Sequence, residues 1–218
     1  MTAKSEQTKQ LVIDTALSMF QERGYEKTTM RAIAQRAEIS LGSAYYYFES
    51  KDDLVQELYS RIQRDHRTIA LTAIKDEKSL SRRLQLVLDT GITAMAPFHD
   101  FGGAFLQTAI SPRSSASPFH SASSESREDA IDLFRHALDG ATPSTPASLR
   151  DDLPDLLWLG YLALVFFWVH DDSPGQQRSR TLARGAAPLA AKLVTLAKLP
   201  IARKIVEDAL SLMRKVRQ

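Results

Sequence analysis

The sequence between residues 25 and 57 is YEKTTMRAIAQRAEISLGSAYYYFESKDDLVQE. Apolar residues recur in it at helical spacing on both sides of a short break, which predicts one helix over about 29–37 and another over about 41–48. In the second helix Ala44 and Phe48 lie four residues apart, so both point to the same side and can hold that helix onto its neighbours. Two short helices joined by a tight turn, with a helix before and a longer one after, make a helix-turn-helix.

The helices on either side carry start and stop signals. An apolar face from Leu11 to Phe20 marks the helix before, and Gly24 follows it where glycine commonly ends a helix. Ser50 and Asp53 have the spacing of a capping pair, which predicts that a long fourth helix begins there. Helical spacing continues along the chain and no strand run occurs. The predicted fold class is therefore all-α, with an N-terminal three-helix helix-turn-helix domain joined through the long helix 4 to a second helical domain.

The outward side of the helix at 41–48 consists of small and aromatic residues. With its apolar anchors inward, Gly42, Ser43 and Tyr46 point outward, flanked by Tyr45 and Tyr47. A helix that presents such a side can enter the major groove of DNA.

That helix lacks the side chains that bind a base through two hydrogen bonds. No Arg, Lys, Asn or Gln occurs from 41 to 48. We therefore expect base discrimination to fall mainly on Arg31 and Ser43, helped by apolar contact between Leu41 and thymine methyl groups and by DNA shape.

At these residues the chain resembles the TetR family of bacterial transcriptional regulators. The matching features are FQERGY, the TTM-AIA-RA segment, and LGSAYYYF followed by SKDDL, all within roughly residues 9–58. The resemblance implies that the start of the second helix, the outer face of the third and the lysine that opens the fourth contact DNA. Here those residues are Thr29, Arg31, Leu41, Gly42, Ser43, Tyr45, Tyr46, Tyr47 and Lys51.

One position departs from the family pattern. The turn after the second helix often has glycine there, and this chain has Glu38. A left-handed glutamate costs about 1 kcal/mol relative to glycine, so we expect the turn to form at that cost.

For the rest of the chain the resemblance implies a ligand-binding and dimerising domain. We expect a helix-turn-helix domain at 1–50 and a helical effector-binding and dimerisation domain at 51–218. The predicted homodimer pairs helices at about 153–170 and 176–198 with their copies. Ser173 to Gln176 has the spacing of a capping box at the start of the second.

Two patterns describe those helices. Residues 156–169 contain no charged side chain, which predicts a helix buried on most faces. The next helix is rich in small residues from Ala183 to Val194, which would allow close approach across a two-fold interface. Packing within its own subunit is the alternative.

An effector pocket is expected among aromatic and polar residues of the middle helices, and such a lining favours an apolar or aromatic effector. Ordinary core packing is the alternative, because aromatic stripes occur in both settings. The candidate residues are Phe98, Phe101, Phe105, Gln107, Phe119, Trp158, Tyr161 and Phe166.

Composition excludes several functions. Cysteine is absent, which excludes disulfides, thiolate zinc sites, iron–sulfur clusters and cysteine nucleophiles. The formal net charge is +2, and residues 1–60 carry seven Lys and Arg against nine Asp and Glu. DNA binding must therefore depend on a few placed groups rather than on bulk charge.

We expect no metal, no cofactor and no enzyme activity. His99 and His170 each precede an aspartate at a predicted helix end, and adjacent residues on a helix do not converge on one ion. The segment 111–126 is half serine, which predicts a surface loop, and it contains no nucleophile elbow. Pro200 is predicted to open a last, basic helix.

The sequence thus predicts a ligand-responsive DNA-binding regulator: a homodimeric repressor that binds a palindromic operator and is released by a small effector. The alternative is an all-helical small-molecule-binding protein, or a DNA-architectural protein without effector control. No apolar stretch follows the first lysines, so the cytoplasm is the expected location and no membrane partner is expected.

Overall fold

The computed structural model describes residues 3–111, 114–115, 117–199 and the helical positions 204, 206, 208 and 211. The all-α prediction is confirmed. The helix predicted after Pro200 lies mostly outside the described residues. Between residues 3 and 199 the described part of the chain forms nine α-helices: α1 (Ala3–Arg23), α2 (Met30–Arg36), α3 (Leu41–Tyr47), α4 (Lys51–Ile74), α5 (Leu80–Met95), α6 (His99–Ile110), α7 (Ser124–Asp139), α8 (Leu153–Val169) and α9 (Gln177–Leu196).

The chain divides into two compact units. The N-terminal unit comprises Met1–Arg64 and Met95–Arg127, and the C-terminal unit comprises Asp65–Ala94 and Glu128–Gln218. The N-terminal unit therefore contains α6 in addition to the helices that the sequence motif identifies.

The N-terminal unit is built on one apolar core, to which α1, α2, α3 and α4 all contribute. Phe101 of α6 belongs to the same core. Its ring stacks on that of Phe20 with centroids 5.1 Å apart and lies 6.1 Å from the ring of Tyr25. Because aromatic rings bury large apolar areas, α6 supplies a substantial part of this core.

Local side-chain caps fix the helix ends around the turn. The Thr29 hydroxyl accepts a hydrogen bond from the backbone N–H of Ala32 at 3.2 Å, and this begins α2. Ser50 and Asp53 each accept from the other's backbone N–H, at 3.3 and 3.0 Å, so the predicted capping pair is confirmed. These reciprocal bonds satisfy N–H groups that have no partner within a helix.

The turn between α2 and α3 forms without glycine. Glu38 adopts a φ of 55°, in the left-handed region. The backbone N–H of Ile39 then donates to the carbonyl of Ala34 at 3.0 Å and closes the end of α2. The expectation that the turn forms at this residue is confirmed.

The described part of the serine-rich segment that precedes α7 forms the predicted loop, and residues such as Ser111, Phe119 and Ser121 are exposed. Four serines of the whole segment are buried: Ser114, Ser117, Ser123 and Ser126. Ser123 donates to the side-chain oxygen of Gln56 at 3.0 Å, and the Gln56 amide donates to the carbonyl of Ala122 at 3.2 Å. Ser60 and Ser126 share a hydrogen bond of 2.9 Å. The loop prediction is confirmed for the described residues before α7, but composition alone does not show that hydroxyls with partners along α4 can be buried.

In the C-terminal unit a buried guanidinium joins two helix ends. Arg83 donates to the carbonyls of Ile74 and Glu77 and to those of His136 and Ala137, each at 2.7 Å. These carbonyls lie at or just after the ends of α4 and α7, where a helix leaves acceptors without partners.

The side chain of Asp171 caps the first turn of α9. Its buried carboxylate accepts from the backbone N–H and hydroxyl of Ser179, both at 2.7 Å, and from the same two groups of Ser173. Burial raises the pKa of Asp171, but these hydrogen bonds outweigh it and hold the pKa well below its usual range. The capping box predicted at Ser173 does not form, because Ser173 bonds to Asp171 and Gln176 is left-handed, with a φ of 52°.

Both α8 and α9 carry apolar residues that the single chain leaves exposed. On α8 these are Leu156, Gly160, Ala163, Phe166 and Phe167; the other residues of the helix are buried or partly buried, as predicted. On α9 the exposed stripe is Leu182, Gly185, Leu189, Leu193 and Leu196. The small residues Ala183, Ala187, Ala191 and Val194 are instead buried in the C-terminal unit, which was the alternative interpretation.

Candidate DNA-binding interface

The residues predicted to contact DNA lie on α2, on α3 and at the start of α4. Ala44 and Phe48 are buried, with exposed fractions of 0% and 4%, so α3 is anchored as predicted. This leaves a surface, the α2–α3 face, made of Thr29, Arg31, Leu41, Gly42, Ser43, Tyr45, Tyr46 and Tyr47. Leu41, Ser43 and Tyr47 are partly buried, and the others are exposed.

Arg31 is the cation of this face. It is exposed and makes no hydrogen bond or ion pair with any residue that the structure describes. Arg36, the other arginine of α2, is held by a two-bond pairing with Glu22. That pairing, with a further hydrogen bond from Ser18, lowers the pKa of Glu22 to about 2. Arg31 therefore keeps its N–H donors for an outside acceptor.

The tyrosine triplet divides into two roles. Tyr45 and Tyr46 are 48% and 79% exposed. Tyr47 is partly buried, and its hydroxyl shares a hydrogen bond of 3.2 Å with the hydroxyl of Ser5 on α1. The rings of Tyr46 and Tyr47 meet edge to face with centroids 5.0 Å apart. Tyr47 thus ties α3 to α1 while the other two face outward.

Lys51 is partly engaged within the protein. Its ammonium donates to the carbonyl of Tyr25 at 2.9 Å and lies 4.1 Å from the centroid of the Tyr25 ring. The Tyr25 hydroxyl in turn donates to Asp52 at 2.5 Å. An ammonium has three N–H donors, so this contact orients Lys51 and leaves others for a phosphate.

A groove of about 580 Å³ borders the α2–α3 face. One wall is Ser40, Gly42, Ser43, Tyr46 and Tyr47. The other wall is Lys4, Ser5 and Thr8 on the first turns of α1. This second wall was not predicted from the sequence. The signal for it was the four-residue spacing of Lys4 and Thr8, which places both on one side of a helix.

Five of the predicted effector-pocket residues lie in the N-terminal unit. Phe101 is buried in its core, and Phe98 and Phe105 are partly buried against that core. Phe105 also stacks near Tyr59, whose pKa burial raises to about 12. Gln107 and Phe119 are exposed.

The other three lie in the C-terminal unit. Trp158 and Tyr161 are buried, and Phe166 is 53% exposed. The Tyr161 ring lies 5.5 Å from the ring of His66 and fits closely under Gly91, where a Cβ would come within 2.7 Å of the phenol oxygen. The effector-pocket assignment stays a prediction.

Two other kinds of site have no counterpart in the described residues. Among them no three His, Asp or Glu side chains lie where they could hold a metal ion. Within the same ranges no helix is long and apolar enough to cross a membrane.

A helix-turn-helix with an exposed outer face defines a class of DNA-binding protein. Two family models match the chain: "Bacterial regulatory proteins, tetR family" over residues 12–58, and "Tetracyclin repressor-like, C-terminal domain" over residues 83–212. The chain therefore belongs to the TetR family of bacterial regulatory proteins.

Curated relatives match only part of their own length. The probable HTH-type transcriptional regulator YttP of Bacillus subtilis (strain 168) is 31% identical over 85 residues, which is 38% of this chain and 41% of that protein. The probable acrEF/envCD operon repressor of Escherichia coli (strain K12) is 37% identical over 57 residues, 26% of each chain.

Solved structures match over most of the fold. A TetR transcriptional regulator from Nitrosomonas europaea gives a TM-score of 0.64 at 18% identity, covering 84% of this chain and 97% of that one. FadR from Bacillus subtilis, in complex with stearoyl-CoA, gives 0.61 at 18% identity with the same coverage. At this identity the matches show the fold.

Proposed function

We propose that this protein is a homodimeric repressor that binds a palindromic operator through the α2–α3 face and Lys51, and that a small apolar or aromatic effector releases it. The observation that carries the DNA contact is the orientation of α3. Ala44 and the adjoining Phe48 are buried, while Tyr45 and Tyr46 on the same helix are exposed. Arg31 on the neighbouring helix α2 is exposed as well. Such a regulator works where the chromosome is, in the cytoplasm.

Gly42 supplies a sharp test of the DNA contact. A Cβ at Gly42 would meet only the Ser40 hydroxyl, at 3.8 Å, so the free protein has room for alanine. Alanine in a helix is more stable than glycine by roughly 0.5–1 kcal/mol. If the Gly42 backbone lies against DNA, Gly42→Ala will raise the Tm and weaken operator binding together.

The operator is found first, by footprinting the purified protein on genomic DNA. Fluorescence anisotropy then compares wild type, Gly42→Ala and Arg31→Ala on the operator and on single-base variants of it. We expect Arg31→Ala to lose preference at one base pair of each half-site, by about 1–3 kcal/mol. Gly42→Ala with unchanged affinity, or Arg31→Ala with full preference at every position, would contradict the assignment. Absence of any near-palindromic site would contradict the dimeric regulator.

The exposed apolar stripes of α8 and α9 support the dimer. On α9, Leu182, Leu189, Leu193 and Leu196 recur at three- and four-residue spacing or its multiples, as in helix-packing seams. Exposed leucines in a continuous stripe are costly in water and mark an interface. The double variant Leu189→Glu/Leu193→Glu should sediment as a monomer, whereas Leu11→Glu, at an exposed leucine of α1, should remain dimeric.

The effector proposal rests on the apolar candidates and on two structural neighbours. FadR of Bacillus subtilis and FadR of Thermus thermophilus are described in complex with stearoyl-CoA and lauroyl-CoA. A long-chain acyl-CoA is therefore the first compound to add to the operator complex, with free coenzyme A as the control. Release by the acyl compound alone would support an apolar effector.

A further inference from the structure

The wall of the groove that belongs to α1 has a chemistry of its own. It presents the ammonium of Lys4 and the hydroxyls of Ser5 and Thr8, and no carboxylate lines the groove on either wall. Lys4 is exposed and makes no ion pair within the parts of the chain that the structure describes. The groove is therefore a hydroxyl-rich surface with a single positive charge.

Lys4 is the cation that lines the groove. It is one of four cations in residues 1–60 whose side chains make no ion pair or hydrogen bond with any described residue; the others are Arg23, Lys27 and Arg31. Residues 1–60 carry more Asp and Glu than Lys and Arg. Within them Lys9 pairs with Glu57 at 3.1 Å, and Arg36 and Lys51 are engaged as described above. Because residues 1–60 carry net negative charge, a cation at the edge of the α2–α3 face contributes a larger share of the attraction for DNA than it would on a basic surface.

Two hydrogen bonds hold the groove in shape. The Ser5–Tyr47 hydroxyl pair joins its walls. Thr8 donates its hydroxyl to the backbone carbonyl of Lys4 at 3.0 Å, which uses the Thr8 proton within α1. Thr8 and the Ser5–Tyr47 pair therefore position the wall, and Lys4 supplies the charged donor of the groove lining.

We propose that the groove is a second DNA-backbone site, in which Lys4 binds a phosphodiester of the strand that passes beside α3. The inference rests on the proposed function, because it needs DNA on the α2–α3 face. Lysine acts on phosphate as a point charge, so the contact positions the protein and carries no base preference.

The salt dependence of binding tests this contact. Each neutralised phosphate contributes about 0.9 to the slope of log K against log salt concentration, so Lys4→Met should lower the slope by about 0.9 per helix-turn-helix, or about 1.8 for a dimer. Affinity should fall by the same factor on the operator and on an unrelated duplex. Lys4→Arg should keep the wild-type slope, and Lys75→Met, which removes an exposed charge from the C-terminal unit, should leave it unchanged.

The other outcomes are decisive against the site. A wild-type slope for Lys4→Met removes the phosphate contact. If Lys4→Met weakens affinity for the operator but not for the unrelated duplex, Lys4 reads bases and the proposal is wrong. If Lys75→Met lowers the salt slope as much as Lys4→Met does, the effect is one of net charge and the proposal is also wrong. If wild-type protein shows no salt-dependent, sequence-preferring binding at all, the proposed function itself fails and the Lys4 site fails with it.

Discussion

His66 should make the stability of this protein fall in mild acid. It lies on α4 in the C-terminal unit with 1% of its surface exposed, and its ring bonds the carbonyl of Val87 at 2.8 Å. A carbonyl only accepts, so Nε2 carries the proton, and Nδ1 is a buried acceptor with no partner among the described residues. Burial lowers the pKa of His66 from 6.5 to about 4, and the bond to Val87 opposes this only in part.

Proton linkage gives the direction and the size of the change in the free energy of unfolding with pH. Between pH 6.5 and pH 4 the unfolded chain binds a proton at His66 and the folded chain does not, so stability is complete above pH 6.5 and declines as the pH falls. A difference of this size corresponds to roughly 3 kcal/mol in full, of which about 2 kcal/mol is lost between pH 7 and pH 4.5. For a chain of this length that is a fall in Tm of about 4–8 °C.

Urea unfolding of wild type and His66→Gln at pH 7 and pH 4.5 isolates this contribution. Glutamine can still donate to Val87 but does not titrate, and comparing the two proteins cancels the carboxylates that also protonate in acid. His66→Gln should start less stable and lose about 2 kcal/mol less than wild type over this range. Equal losses for wild type and His66→Gln would refute a buried neutral imidazole.

Three further substitutions test the fold by thermal unfolding. Glu38→Gly removes a left-handed side chain and should gain about 0.5–1 kcal/mol, raising the Tm by about 2 °C; a lower Tm would contradict strain at this turn. Arg83→Met removes a donor from four carbonyls, of which those of Ile74 and His136 keep a backbone N–H, and should cost about 3 kcal/mol; a loss below about 1 kcal/mol would refute its role. Asp171→Asn turns an amide toward donors such as the Ser179 N–H and should cost about 2 kcal/mol, whereas an unchanged Tm would show that these donors find other partners.

Helix positions could be predicted from the sequence because their signals are local. Apolar spacing predicted the helices of the helix-turn-helix, and the signals at Ser50 and Gly24 placed helix ends to within a residue or two of the structure. The left-handed conformation of Glu38 was also predictable, because the turn needs it whatever residue stands there.

The features that escaped prediction depend on which partners a side chain meets in the folded chain. The hydroxyls of 111–126 carry the same composition whether they face water or bond along α4. An aromatic such as Phe101 has the same sequence signature in a core and in a cavity wall. The sequence predicts that Ser173 and Gln176 cap α9, because they lie directly before it. In the structure Asp171, further from the helix, bonds to Ser179 and caps it instead.

The place of Phe101 in the N-terminal core bears on hybrid regulators. A chimera that joins residues 1–64 to the effector domain of another family member would keep the complete helix-turn-helix motif but lose the ring that stacks on Phe20. Removing a buried phenylalanine costs about 3–5 kcal/mol, a large share of the stability of a small domain. A transplant that preserves operator specificity should therefore carry a matching aromatic in the recipient's equivalent of α6, or include residues 95–127 from the donor.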